Sequence, residues 1–256
     1  MKKFYYYNGD GGNFGDLLVP LLLEKIRKKP YELLPSMNSI EGDVVLSIGS
    51  VISIAKARNT IWGSGLHYPS SIMKIKDIKS LNFNAVRGPY SRRKLIDAGF
   101  DCPEIYGDPA LLLGYLFPDL KPKPIKNKIT LIPHFRDHEH PEVLENKFNL
   151  NIIKCAPIND PMPIINEILT SELVIASALH GIIVSESFGV PVIRWKSLSH
   201  KRAKIEGEFK YRDYYSSTDR SIYESGTSLG ECLKLNPLPI NHQHLINPLL
   251  KSFPKY

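Results

Sequence analysis

The sequence has few of the features that mark secreted, membrane-spanning or disulfide-stabilised proteins. Its 256 residues include three cysteines, Cys102, Cys155 and Cys232, and no two of them form a CxxC pair. This argues against a disulfide framework or a cysteine-based zinc site and favours a reducing compartment. No apolar run approaches the roughly 20 residues that cross a bilayer, and the N-terminal MKKFYYYNGDGG lacks the apolar core of a signal peptide. We therefore expect a cytoplasmic protein.

Recognised nucleotide-binding and nucleic-acid-binding patterns are missing as well. Residues 8–16, NGDGGNFGD, are rich in glycine but match neither GxGxxG nor a P-loop ending in GK[ST]. The formal net charge of +7 comes from scattered basic residues, with small clusters at 25–29, 121–128 and 201–204. No basic stripe is interleaved with aromatic residues. The charge therefore favours an anionic small substrate or a membrane surface over nucleic acid.

The sequence does contain two successive series in which short apolar segments, typical of strands, alternate with helical patterns. Residues 1–121 hold the first series and residues 122–235 the second, and the segment 118–128, PDLKPKPIKNK, is typical of a linker. Residues 236–256 are expected to pack back on the first domain. Because such alternation gives parallel sheets, we predict an α/β protein with two Rossmann-like domains that face each other across a ligand-binding cleft.

Residues 173–196, LVIASALHGIIVSESFGVPVIRWK, predict a strand, a sharp turn, a helix and a second strand. A unit this short requires parallel strands with a right-handed crossover. His180 and Gly181 fall at the carboxyl end of the first strand, where free N–H groups of a helix start attract anions. An imidazole beside such a site is a candidate acid or base. The alternative is a chance histidine at a helix terminus.

The glycine-rich loop lies between a predicted strand at 4–7 and a predicted helix at 17–28. This layout lets the backbone approach a phosphate or a sugar closely, which makes Asn13, Gly15 and Asp16 candidates for binding. Alternatively, the loop is only a flexible turn, and Asp16 only caps the helix.

Other polar residues follow predicted strands of the first half. Ser64 and His67 follow one short apolar strand, and Arg87 follows the next. Because the carboxyl ends of parallel strands share one edge of the sheet, we expect these side chains at one crevice. The planar guanidinium of Arg87 suits a carboxylate or phosphate of a ligand. Equally, it can pair with Asp108 or another local carboxylate.

The second half begins with a predicted strand at 129–133 that runs into the histidine-rich segment 134–140, HFRDHEH. The spacing does not match HExxH or another known ligand pattern, so we expect no metal site. His134 stands at the end of the strand and is a second candidate acid or base.

Taken in order, these segments resemble the polysaccharide pyruvyltransferase family. The matching motifs are Asn13-Phe14-Gly15-Asp16, Gly63-Ser64-Gly65, Val86-Arg87-Gly88, Asp108-Pro109-Ala110, Pro133-His134, Leu179-His180-Gly181 and Gly189-Val190-Pro191. The resemblance implies a two-domain fold of the GT-B type. It also implies transfer of a pyruvate ketal from phosphoenolpyruvate to a sugar of a bacterial surface polysaccharide or its lipid-linked precursor. It implies no metal and no cofactor, since phosphoenolpyruvate is a substrate.

For that reaction, His180 is the first choice of acid or base, and Asp16 would orient or deprotonate an acceptor hydroxyl. Arg87 and the backbone of Gly181 would bind the donor anion. The first domain is then the acceptor side and the second the donor side. Further candidates for substrate binding are Asn13, Gly15, Ser64 and His67.

One departure from the family pattern concerns Ala178. Many members have arginine two residues before this histidine, which gives Arg-Leu-His-Gly, whereas this chain has Ala-Leu-His-Gly. If that arginine normally meets the donor, its charge must come from other basic residues. The available candidates are Arg87, Arg136, Arg194 and Lys196.

Two alternative functions fit the same sequence. One is a GT-B glycosyltransferase that uses a nucleotide-sugar, because it would share the fold and the phosphate site at a helix start. The other is a non-catalytic glycan-binding protein on a decayed transferase fold, for which Ala178 is the best argument. A lipid-linked acceptor would bring the protein into peripheral contact with the inner face of the cytoplasmic membrane.

Overall fold

The protein has an α/β architecture with two parallel sheets of five strands each. The computed structural model describes residues 1–8, 11–27, 29–197, 207–220 and 224–254. The basic cluster at 201–204 and residues 9 and 10 of the glycine-rich loop lie outside the described residues.

The first sheet is built from the first half of the chain, in the order β2-β1-β3-β4-β5. Its strands are β1 (Lys2–Tyr5), β2 (Tyr31–Leu34), β3 (Val44–Leu46), β4 (Thr60–Trp62) and β5 (Asn82–Ala85). The helices of this half are α1 (Phe14–Ile26), α2 (Pro89–Asp97) and α3 (Leu113–Leu116). Strand β2 was not predicted, because its four residues YELL are only half-buried at the edge of the sheet.

The second sheet is built from the second half, in the order β10-β9-β8-β6-β7. Its strands are β6 (Ile129–Ile132), β7 (Asn151–Ile152), β8 (Leu173–Ala176), β9 (Val192–Trp195) and β10 (Ser225–Gly226). The helices are α4 (Pro141–Glu145), α5 (Met162–Leu169), α6 (Leu179–Ser187), α7 (Phe209–Ser217), α8 (Leu229–Cys232) and α9 (Gln243–Lys251).

The two sheets share one topology. When the second sheet is numbered from its own first strand, both follow the order 2-1-3-4-5, although the sequence shows no internal repeat. In this doubly wound order the first and third strands lie side by side, and their connections leave toward opposite sides. Ligands bind at the carboxyl ends of those two strands. The expected binding points are thus the loops after β1 and β3 and those after β6 and β8.

The central unit of the sequence forms as predicted, with shifted boundaries. The strand at 173–176 is confirmed. Helix α6 begins at Leu179, three residues earlier than the apolar pattern predicts, so that His180 lies in its first turn. Gly189, with φ of +75°, ends the helix, because left-handed backbone is favourable for glycine. The following strand occupies 192–195, two residues later than the predicted 190–193.

A continuous apolar core joins the two halves. It includes Phe14 and Leu18 from α1, Ile182 from α6 and Tyr214 from α7. Helix α7 also lies against α2, so this helix of the second half contacts the first half.

The C-terminal helix contacts the first sheet. The Trp62 indole donates a hydrogen bond to the Leu249 carbonyl at 3.0 Å, and Phe253 stacks on Phe4 with ring centroids 5.9 Å apart. In the proline-rich linker, the backbone N–H of Lys123 donates to the Leu169 carbonyl at 2.8 Å. The domain boundary at 121/122 itself stays a prediction.

Candidate functional site

Residues from both halves line one cavity of about 300 Å³ at the carboxyl ends of the strands. The loop after β1 contributes Asn13 and Asp16, and the loop after β3 contributes Ser50. His134 follows β6, and His180 follows β8. The cavity therefore lies at the ligand-binding points of both sheets. It brings together six of the predicted site residues, Asn13, Gly15, Asp16, His67, His134 and His180.

The Asn13-Phe14-Gly15-Asp16 motif forms the start of α1. The Asn13 side chain, and not that of Asp16, is the helix cap, since it accepts a hydrogen bond from the Gly15 N–H at 3.0 Å. A Cβ atom on Gly15 would lie 2.0 Å from Nδ1 of His180. Glycine is thus required at this position because the imidazole of the second half packs directly on the helix start of the first half.

Asp16 lies in the first turn of α1, beside His180. Burial raises the pKa of the Asp16 carboxyl to about 6, and the charge of His180 opposes this rise. A carboxyl group with a pKa near neutrality is well suited to accept a proton from a hydroxyl during catalysis.

His180 faces Asp16 on one side and Asp108 on the other. Its side chain is 17% exposed, and its Nε2 lies 3.6 Å from Oδ2 of Asp108, which is fully buried. Within the described residues neither of these two atoms has a hydrogen-bond partner. The other oxygen of Asp108 accepts from the Ala110 N–H at 3.1 Å. Asp108 is therefore placed to orient the imidazole, as the carboxylate of a catalytic triad does.

Glycine is required in the other motifs too, because neighbouring residues leave no room for a side chain. A Cβ on Gly63 would lie 2.4 Å from Cδ of Pro109, and a Cβ on Gly65 would lie 2.4 Å from Cζ of Arg87. A Cβ on Gly88 would lie 1.8 Å from the carbonyl oxygen of Asp213. These motifs, which are far apart in sequence, thus pack tightly on one another and on α7.

The structure favours the structural alternative for Arg87. The guanidinium is fully buried, with Nε 3.1 Å and Nη2 3.0 Å from Oδ2 of Asp213, so the partner is not Asp108. Nη1 donates to Ser50 at 2.7 Å, and Nη2 donates to the Leu66 carbonyl at 2.7 Å. All three guanidinium nitrogens are engaged by the protein, and the predicted contact with a donor anion stays a prediction.

Three further predicted residues also have roles in packing. Ser64 is fully buried, and its hydroxyl donates to the Gly49 carbonyl at 2.9 Å. Gly181 packs on the sheet, where an added Cβ would lie 3.2 Å from Ala176. Arg194 is buried in a bidentate ion pair with Glu208, and its charge is therefore partly neutralised.

A smaller recess of about 70 Å³ adjoins the main cavity and is lined by basic residues. Arg136 and Lys196 line it, and His134 lies between the recess and the main cavity. Burial, followed by the positive charges of Lys210 and Arg136, lowers the pKa of His134 to about 2. His134 is therefore neutral at physiological pH. Its Nδ1 accepts a hydrogen bond from the Arg136 N–H at 3.3 Å, so that Nε2 carries the proton and can donate a hydrogen bond.

Lys210 is a site residue that the sequence did not single out. It stands on α7 and lines both the main cavity and the recess. Burial, followed by the charges of Arg87, Arg194 and Arg136, lowers its pKa to about 7. The signal in the sequence is the polar and aromatic composition of residues 201–217, KRAKIEGEFKYRDYYSS, which predicts a loop or helix near the cleft.

A third cavity of about 370 Å³ opens on the first half. His67 lines all three cavities, and Tyr68 packs against its ring with centroids 4.2 Å apart. Ser53 and Lys74 also line this third cavity. Hydroxyl groups beside an aromatic ring are a suitable surface for a sugar.

The histidine-rich segment is used for packing and capping. His140 caps α4, and its ring contacts Trp195 edge-on at 4.9 Å. Asp137 accepts a hydrogen bond from Ser177 at 2.6 Å. Among the described residues, no three His, Cys, Asp or Glu side chains are grouped to hold a metal ion. No helix in the described ranges is long and apolar enough to span a membrane.

Comparison with known proteins identifies the family of this chain. Succinoglycan biosynthesis protein ExoV of Rhizobium meliloti (strain 1021) is 28% identical over 221 residues, which are 83% of this chain and 63% of that protein. Uncharacterized protein L143 of Acanthamoeba polyphaga mimivirus is 28% identical over 173 residues, 66% of this chain and 58% of that protein. The chain thus spans about three fifths of these relatives. Residues 6–195 match the family model of polysaccharide pyruvyl transferases, and the chain belongs to that family.

Proposed function

We propose that the protein transfers a pyruvate ketal from phosphoenolpyruvate to two hydroxyls of a sugar in a bacterial surface polysaccharide or its lipid-linked precursor. The observation that supports this most directly is the shared cavity. In it, the Asp16 carboxyl of the first half meets His180 of the second half, next to Lys210 and the basic recess. We also propose that the two sheets belong to a GT-B arrangement, with the acceptor on the first half and the donor on the second.

The reaction needs an acid, a base and a cationic site. The methylene carbon of phosphoenolpyruvate takes up a proton, and positive charge develops at C2. One sugar hydroxyl attacks C2 and loses its proton to the base. The second hydroxyl then attacks C2, the C2–O bond to phosphate breaks, and inorganic phosphate leaves with the proton of that hydroxyl as the ketal ring closes. Each proton transfer by a positioned side chain contributes roughly 10²–10⁴-fold to the rate.

His180 is the proposed acid for the methylene carbon. It lies in the first turn of α6 and lines the main cavity, with Oδ2 of Asp108 3.6 Å from its Nε2. Asp16 is the proposed base for the acceptor hydroxyl, and its pKa of about 6 leaves it ionised but still basic at pH 7. Arg136 and Lys196 in the recess suit the donor anion.

His134 is neutral, and its Nε2–H can donate a hydrogen bond to a bound substrate. On the acceptor side, His67, Tyr68 and Ser53 form a surface where a sugar ring can stack and its hydroxyls can bond. The side-chain oxygen of Asn13 accepts the hydrogen bond that caps α1, so its side-chain NH2 group can donate to a hydroxyl of the sugar acceptor.

Calorimetric titration separates the candidate functions. We expect phosphoenolpyruvate to bind and UDP-glucose not to bind. In a second assay, a panel of saccharides with neighbouring free hydroxyls is incubated with phosphoenolpyruvate. We expect release of inorganic phosphate together with a new ketal methyl signal in the NMR spectrum of one saccharide.

Two results would contradict the proposal. Binding of UDP-glucose without binding of phosphoenolpyruvate would indicate a glycosyltransferase, and saccharide binding that is indifferent to any donor would indicate a glycan-binding protein.

Peripheral membrane contact, which a lipid-linked acceptor would require, is testable by flotation with anionic liposomes.

A further inference from the structure

Lys210 differs from the two buried arginines near the cavity because they are paired. Arg87 is bound by Asp213, and Arg194 is bound by Glu208. Lys210 is half-buried and has no hydrogen bond or ion pair within the described part of the chain, and its ammonium lies 5.1 Å from the centroid of the Tyr211 ring. A half-buried ammonium without a carboxylate partner, among other cations, is favourable when an anion binds there.

The position of Lys210 is at the junction of the two cavities. It lines the main cavity together with Ala178 and His180, and it also lines the basic recess with Arg136. Ala178 is buried beside His180 and brings no charge to the cavity. Lys210 is the one lysine or arginine among the described residues that line the main cavity, so the cation that shares this cavity with the proposed acid comes from α7.

Helix α7 is held in place by the first half. Asp213, one turn after Lys210, accepts hydrogen bonds from the Ser91 N–H and the Ser91 hydroxyl, both at 2.7 Å, and pairs with Arg87. Gly88 lets the two helices approach, since no Cβ fits against the Asp213 carbonyl. Residues three apart share one helix face, so this anchor fixes the position from which Lys210 extends.

We propose that Lys210 binds the phosphate group of the donor at the junction of the main cavity and the recess, and that Arg87 acts as a positioning residue for Lys210 through Asp213. The identity of the donor rests on the proposed function. The anion site itself rests on the unpaired ammonium and the cations around it.

Anion binding to Lys210 should depend on pH. The ammonium is the form that binds phosphate, and its pKa in the free protein is about 7. Affinity should therefore fall as the pH rises above 7, and binding near pH 8 should take up a proton. The charged and titratable groups around the ammonium are Arg87, Arg136, Asp137, Arg194, His134, His67, Lys196, Glu208, His180, Asp16 and Asp213.

The test compares the whole protein with Lys210→Met, Lys210→Arg and a control on the same helix, Arg212→Met, whose side chain is exposed. Calorimetry is carried out with phosphoenolpyruvate and with sulfate, whose charge is constant between pH 6 and 9. We expect Lys210→Met to weaken both ligands roughly 10- to 100-fold, as for loss of a charge-assisted hydrogen bond. Lys210→Arg should retain affinity within a few-fold and lose the decline above pH 7, because arginine stays charged.

Unchanged affinity for both ligands in a folded Lys210→Met protein would overturn the inference, as would an unchanged pH profile in Lys210→Arg. The proposed function fails separately. If the wild-type protein binds sulfate through Lys210 but not phosphoenolpyruvate, the anion site stands and the donor is wrong. If phosphoenolpyruvate binds equally to wild type and Lys210→Met, the donor stands and the role of Lys210 is wrong.

Discussion

The two halves of the molecule have the same strand order and opposite chemistry. After its first and third strands, the first half presents a carboxyl group, Asp16, and a hydroxyl group, Ser50. At the equivalent places the second half presents imidazoles, those of His134 and His180, and α7 adds the ammonium of Lys210. One topology thus provides two different binding surfaces, because the loops and not the strands determine the chemistry.

In the proposed function, this difference would assign the donor to the second half and the acceptor to the first. Cationic and imidazole groups suit an anionic enol phosphate, whereas carboxyl and hydroxyl groups suit a sugar. The division is not complete, since Arg87 of the first half is bound by Asp213 of the second. The two halves depend on this ion pair for their packing, and the first prediction removes it.

The largest effect is expected from Arg87→Ala. From sequence, Arg87 was expected to bind the donor anion, but its buried pair with Asp213 predicts an effect on stability instead. The variant leaves the Asp213 carboxyl buried without its cation, which costs roughly 3–5 kcal/mol of unfolding free energy. Denaturant unfolding measures this loss.

The matched control for this prediction is Arg58→Ala. Arg58 pairs with Asp43, and both side chains are about two thirds exposed. Exposed pairs contribute at most about 1 kcal/mol. If Arg87→Ala is no less stable than Arg58→Ala, the buried pair does not join the halves.

The second prediction concerns His180, where the two surfaces meet. His180→Asn should lower turnover roughly 10²–10⁴-fold and leave the donor affinity within a few-fold, because an acid acts on the transition state. Steady-state kinetics and calorimetry with phosphoenolpyruvate measure the two quantities. The control is His244→Asn. His244 lies on α9, and its Nε2 is 3.3 Å from Oδ2 of Asp219.

An opposite result for His180 has a clear meaning. Loss of donor affinity with only a modest loss of turnover would make His180 a phosphate ligand. The second half would then hold the donor without supplying the proton, and His134 or a group of the first half would have to supply it.

Much of the fold was predictable from local patterns. The strand 173–176, the helix after it and the glycine-rich loop before α1 follow from apolar runs and glycines that are close in sequence. The short edge strands β2 and β10 were not predicted. Four and two residues, respectively, that are only partly buried leave little pattern in the sequence.

The candidate site was predictable only in part, because its key contacts join distant residues. Asp16, His134 and His180 were predicted from their places at strand ends. Asp213, the partner of Arg87, lies 126 residues further along the chain. It stands on α7, whose polar and aromatic residues show no helical hydrophobic periodicity, so the sequence did not indicate this contact. Lys210 and Asp108 were missed as site residues for the same reason, since their neighbours are set by the packing of the two halves.

The last prediction concerns Asp16, the proposed base in the main cavity, and its expected effect on stability is smaller than that of the Arg87 change. Raising its pKa from 3.8 to about 6 corresponds to a cost of roughly 3 kcal/mol for keeping the carboxylate charged in the folded protein. The helix start near Asp16 stabilises the charge by only about 0.3–1 kcal/mol, so burial dominates. Between pH 4 and 6 the folded state binds more protons than the unfolded state, and stability therefore falls as the pH rises through this range. Asp16→Asn should remove that fall and raise the melting temperature at pH 7, whereas the exposed Asp119→Asn should change neither.

Asp16→Asn should also lose the rise of kcat/KM through pH 6 that an ionising base produces in the wild type. A destabilising charge that is needed for turnover is the signature of a functional residue. A variant that is no more stable than the wild type, and keeps its pH profile, would show that the first half does not supply the base.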